Sequence, residues 1–135
     1  METTALVLTL FIAWTLLLLV LMEVLRVVLV ARQRIASNAF RPDNANLSPF
    51  MQRLARAHAN CVESLPVFGG LMLVALLLGR AGVTDPLAPW LLAARIVQSC
   101  VHLSALSVTA VNLRFSAFVV QMLIGIYWVV ALLLG

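Results

Sequence analysis

The run Arg53-Leu54-Ala55-Arg56-Ala57-His58-Ala59-Asn60-Cys61-Val62-Glu63 passes without a break into an apolar stretch over 65–78. Read as one helix, it sets Arg53, Arg56, Asn60 and Glu63 at steps of three, four and three, on a single face. Two guanidiniums, an amide and a carboxylate are thus carried as one stripe toward hydrocarbon. Ionisable groups are costly in a bilayer, so they face a bundle interior or a wet cavity and mark functional sites. Where this stripe points decides both the packing and the chemistry.

Working outward, Ser48-Pro49 supplies an N-cap followed by proline at the first helical position, opening a span expected over about 49–79. Pro66 has no amide hydrogen for the carbonyl of Val62, which predicts a bend beside Glu63. Upstream, a Leu- and Val-dense run over about 4–31 is a first span, and Glu23 and Arg26 lie three apart in it, able to pair. A polar loop with Pro42, Asp43, Asn44 and Asn46 follows. Downstream, Thr84-Asp85-Pro86 reads as a second cap-plus-proline signal for a third span over about 86–107, where Arg95, Gln98 and His102 form another polar stripe. A connection over 108–113 leads to Arg114 and a fourth span over about 115–134, with Tyr127-Trp128 as an aromatic interface anchor.

Composition agrees. Of 135 residues, 64% are hydrophobic and 10% charged, against about half and a quarter in soluble domains. The expected fold is an all-α membrane protein, a four-transmembrane-helix bundle forming one domain over 1–135. Met1-Glu2-Thr3-Thr4 lacks a basic leader, so no cleavable signal peptide is expected. All nine basic residues are arginine, which either genome composition or a need for bidentate anion contacts explains. They lie beside the spans, which points to membrane orientation and away from nucleic-acid binding. Arg32, Arg34, Arg41 and Arg53 flank the first loop and Arg114 the third, while the second has Arg80 against Asp85. Both termini are then expected outside, with the first and third loops cytoplasmic. The polar groups are expected at that face rather than at the midplane. Cys61 and Cys100 fall inside apolar helices and read as packing thiols, with no disulfide framework.

An arginine-rich cluster with one carboxylate suits a small anionic or zwitterionic ligand: guanidiniums take carboxylates and Glu63 an ammonium. Apolar walls beside it would hold a lipid-soluble molecule. His58 and His102 lie on different helices without partners at ligand spacing, so no metal site is expected. No Ser-His-Asp arrangement or glycine-rich phosphate loop is present. Plainer readings stand beside these. Glu63 pairs with Arg95 or Arg56, Arg95 is a structural ion-pair member, and Arg114 is only an orientation signal. Gln98 and His102 either line a cavity or bond across helices, and His58 sits at a helix interface.

The segment Arg56-Ala57-His58-Ala59-Asn60-Cys61-Val62-Glu63 resembles the pattern Arg-Ala-His-x-Asn-x-x-Glu of the membrane-associated proteins in eicosanoid and glutathione metabolism, the MAPEG family. Pro66 and Phe68 also fit. Asn112-Leu113-Arg114-Phe115-Ser116-Ala117-Phe118 is similar to the opening of the family's fourth helix, Arg34 with Ala39-Phe40 to the end of its first, and Arg95 to an arginine of its third. The resemblance implies a four-helix protomer assembled as a homotrimer, in a bacterial inner membrane. Glutathione would bind between subunits at the cytoplasmic side, and a lipophilic substrate would enter from the bilayer. Carried over by position, Asn60 and Glu63 contact the tripeptide, Glu63 at its amino group. Arg34 and Arg114 serve its carboxylates or thiol, and Arg114 matches the arginine thought to stabilise the thiolate. Arg56, Gln98, His102 and Phe118 complete the expected binding set.

The implied chemistry is physically reasonable. Lowering a free thiol from about 8.5 by about two units takes roughly 2.7 kcal/mol. One guanidinium at about 4 Å supplies on the order of 4 kcal/mol at an effective dielectric near 20. Departures are Ala59, where the prostaglandin E synthase branch has arginine, and His102 and Phe118, where family enzymes often have tyrosine. A glutathione-dependent transferase or peroxidase is therefore the first expectation, and a non-catalytic lipid-binding or scaffold protein of the same fold the alternative. A small multidrug exporter is a third class. It would need a carboxylate near the middle of the first span, whereas Glu23 lies near its end beside Arg26.

Overall fold

The computed structural model describes residues 2–105 and 107–135; Met1 and Leu106, the latter within the expected third span, lie outside them. In chain order the helices are α1 (Thr3–Ala31), α2 (Pro49–Ser64), α3 (Gly70–Leu77), α4 (Ala81–Thr84), α5 (Ala88–Ser104) and α6 (Val108–Leu134). A π-helical turn, Leu65–Gly69, joins α2 to α3. Three rods, α1, the continuous Pro49–Leu77 and α6, are long and apolar enough to cross a bilayer. Helix α5 has 17 residues, about 25 Å at 1.5 Å per residue.

Local chemistry fixes these boundaries. Ser48 Oγ accepts from Met51 N–H at 3.3 Å, and Pro49 occupies the first turn of α2, as its sequence dictates. At Pro66 the missing N–H and the bulk of the ring are absorbed by the wider π turn, the form the bend takes. The last helix begins earlier than expected. Ser107 Oγ accepts from Ala110 N–H at 3.2 Å, so Asn112 and Arg114 lie inside α6 and not in a connection.

Asp85 also departs from expectation. Its carboxylate does not open α5 but accepts from Thr4 N–H at 2.9 Å and from Thr4 Oγ, capping α1. Helix α5 starts at Ala88, with Pro89 in its first turn. At the same end, Arg80 donates to the carbonyls of Leu132 and Ala131 at 2.8 and 2.9 Å, satisfying the end of α6. Gly79, at φ +67°, makes the left-handed turn that brings Arg80 there. One end of the bundle is thus tied by an acid on a helix N-terminus and a base on a C-terminus.

Two apolar clusters fill the interior. Val7, Phe11, Phe68, Met72, Leu91, Ile124 and Trp128 make the first, toward the Asp85 end. Leu18, Met22, Met51, Leu54, Ala57 and Cys61 make the second, toward the first loop. Trp128 is fully buried and is not an interface anchor, because the helical period puts it on the inner face with Gln121 and Ile124 and turns Tyr127 outward. Cys61 is buried as a packing thiol, whereas Cys100 is exposed on α5.

Candidate functional site

Between the two apolar clusters lies a layer of buried polar side chains. On α5, Arg95 is fully buried, Gln98 is 5% exposed and Ser99 2%. Arg95 donates through Nη1 to Asn60 Oδ1 and through Nη2 to Ser64 Oγ at 2.6 Å, and its guanidinium lies 5.8 Å from the Phe11 ring. Ser99 Oγ accepts from Trp14 Nε1 at 3.1 Å and meets Cys61 Sγ at 3.4 Å. Gln121 of α6 donates to Gln98 Oε1 at 2.9 Å. Buried polar groups need such partners. The layer sits about half-way along α1 and α5. The polar groups therefore do not all gather at one face, as the loop charges had implied, because the stripe on α2 runs down past Asn60 to Ser64.

A cleft of about 500 Å³ opens sideways between the α2–α3 rod and α6. Asn60, Glu63 and Ser64 form its polar lining, and Phe118 faces them from α6. Val67, Phe68, Leu71, Met122, Gly125 and Ile126 continue it as an apolar groove. Gly125 is required by the packing: a Cβ there would come within 2.9 Å of Phe68 Cε1. Glu63 is exposed on this cleft and makes no ion pair among the described residues. The pairings with Arg95 or Arg56 are thus overturned, since Arg95 takes Asn60 and Ser64 instead. Among the described residues the ion pair is Glu23–Arg26, at 3.0 Å.

The remaining expected site residues lie elsewhere in the subunit. Arg53 Nε donates to the carbonyl of Leu103 at 2.9 Å, tying the start of α2 to the end of α5. At this end His102 is buried, within electrostatic reach of Arg114 and Arg56. Arg56 is exposed and Arg114 half-buried, its Nε without a partner among the described residues. Neither lines the lateral cleft. Arg34 is exposed on a second cleft of about 460 Å³ between the end of α1, the first loop and the start of α2, with Arg32, Phe50 and Met51. One subunit thus brings together Asn60, Glu63 and Phe118. It holds Arg34 apart, and Gln98 bonds across helices.

Sequence reading missed Ser64, Ser99, Trp14 and Gln121. Ser64 was detectable, four residues beyond Asn60 on the same face. The others need the helix pairing that only packing supplies. Among the described residues no group of three His, Cys, Asp or Glu side chains could hold a metal.

The family model described as the MAPEG family matches residues 4–134, nearly the whole chain. No curated protein and no solved structure matches it.

Proposed function

Because this chain belongs to the MAPEG family, a family of membrane helical bundles, we propose that it is an integral membrane glutathione-dependent transferase or peroxidase. It activates the glutathione thiol for attack on lipophilic electrophiles. The observation that carries this reading is the lateral cleft, where Asn60 and Glu63 meet an apolar groove open to the side of the bundle. A hydrophilic tripeptide at the polar end would lie beside an acceptor dissolved in the bilayer. In this reading Glu63 takes the ammonium, Asn60 hydrogen-bonds the peptide, and Phe118 packs against it.

Helix α5 completes a fourth span in this reading, since 17 residues lie at the short end of the spanning range. The assembly is a homotrimer. Arg34 and the Asn60–Glu63 pair lie on different clefts of one subunit, and a neighbouring copy could bring them to a shared ligand. Arg114, which does not line the lateral cleft of its own subunit, acts in this reading on the ligand held by a neighbouring copy: it is the catalytic residue, and its charge favours the thiolate at the cytoplasmic end, in a bacterial inner membrane. His102 and Phe118 stand where enzymes of the family often have tyrosine. That replacement favours, as the second reading, a non-catalytic lipid-binding protein of the same fold.

Titration of purified protein with glutathione, followed by both heat of binding and thiolate absorbance, tests the first reading. Binding with a thiolate signal, and conjugation of an aryl halide, support it. Lipid binding without glutathione binding moves the conclusion to the second.

A further inference from the structure

Arg95 is fully buried, and the two acceptors it reaches among the described residues, Asn60 Oδ1 and Ser64 Oγ, are neutral. Among the described residues its buried Nε has no partner and no carboxylate pairs with it. A guanidinium taken out of water without a counter-charge is strongly disfavoured. What Arg95 does hold are two residues that line the lateral cleft, Asn60 and Ser64. Since Asn60 Oδ1 accepts from Arg95, the amide NH2 is left to donate toward the cleft. Ser64 Oγ likewise accepts from Nη2 and keeps its own proton to give. Donors backed by a full positive charge therefore form the inner end of the polar lining, and Glu63 is the carboxylate on the same wall.

We propose that this inner end is an anion subsite that takes one anionic acceptor of the bound ligand, with Arg95 as the positioning residue that orients Asn60 and Ser64 and supplies the charge. The anion completes the charge pair that the chain itself leaves open. The opposite polarity of Glu63 then sets the direction of a zwitterionic ligand, cation toward Glu63 and anion inward. For the identity of the ligand this rests on the glutathione reading; for its charge it does not. A thiolate and a carboxylate offer the same chemistry here.

The test uses full-length protein in nanodiscs and isothermal titration with four probes: hexanesulfonate, hexanol, glutathione and S-methylglutathione. Cys61 Sγ meets Ser99 Oγ at 3.4 Å, one turn along α5 from Arg95, yet Cys61 does not line the cleft. Cys61→Asp therefore neutralises the subsite from behind. The expected result is a preference of the wild type for hexanesulfonate over hexanol that falls about tenfold or more in Cys61→Asp. It is lost in Arg95→Gln and largely kept in Arg95→Lys, while hexanol binding is unchanged. If glutathione loses affinity in Cys61→Asp and S-methylglutathione does not, the anion is the thiolate and Arg114 does not hold it; equal losses assign a carboxylate and leave the thiolate to Arg114. Sulfonate selectivity without glutathione binding would leave the subsite standing and remove the glutathione reading. No sulfonate preference in the wild type, or an unchanged preference in folded Cys61→Asp, overturns the proposal.

Discussion

Arg26 and Asn44 are joined by a forked contact: Nη2 and Nε of the guanidinium donate to Asn44 Oδ1 at 2.6 and 3.1 Å. Asn44 passes the connection on, donating through Nδ2 to the carbonyl of Met51 at 2.8 Å. It is fully buried and holds φ +57°, a conformation that asparagine tolerates better than most residues. The same guanidinium bonds Glu23 and the Arg41 carbonyl and lies 5.4 Å from the Phe40 ring. Glu23 and Arg26 are therefore a clamp that folds the first loop against α1 and α2. That assignment leaves Glu23 without the free carboxylate a proton-coupled exporter would need.

Replacing Asn44 by Ala removes these bonds and places a Cβ-bearing residue without side-chain compensation at positive φ. A loss of about 2–4 kcal/mol is expected, read as a lower midpoint in thermal or denaturant unfolding of the solubilised protein. Asn44→Gly relieves the backbone and should lose less.

Gly125→Ala should narrow the apolar groove. The added methyl meets Phe68 at 2.9 Å, so the ring, which lines the same cleft, must shift. An overpacking cost of about 1–3 kcal/mol is expected. Affinity for bulky lipophilic ligands should fall several-fold, with glutathione binding unchanged, as measured by parallel titrations.

Glu63→Gln removes the carboxylate that faces the cleft. Glutathione affinity should drop by about tenfold or more, since a charge-assisted hydrogen bond contributes about 1.5–3 kcal/mol. N-acetylation of the ligand should cause a similar loss in the wild type and little further loss in the variant.

Arg114→Ala should leave glutathione binding largely intact and remove the thiolate signal. A guanidinium near the sulfur contributes on the order of 4 kcal/mol, so conjugation rates should fall by at least two orders of magnitude (about 2.7 kcal/mol). Equal loss of binding and rate would instead mark Arg114 as a binding contact.

At the opposite end, Asp85→Asn weakens the cap on α1 and Arg80→Gln the one on α6. Each should cost about 1 kcal/mol. Thermal midpoints should fall, while glutathione affinity stays at the wild-type value because neither residue lines the cleft.

By itself the chain determined its membership, its helical and membrane character, and the face shared by Asn60 and Glu63, because period and composition are local properties. Ser48-Pro49 and Pro66 acted on their own neighbours and were legible for that reason. Contacts between distant segments were not. Asp85 looked like the cap of the helix after it and instead closes the first one; Arg95 looked like half of an ion pair and holds an amide and a hydroxyl. Tyr127-Trp128 was one motif, yet Trp128 is buried and Tyr127 exposed. Only packing decided these, since a polar group's partner depends on which helices lie side by side and at what height, which spacing along one strand of sequence does not encode.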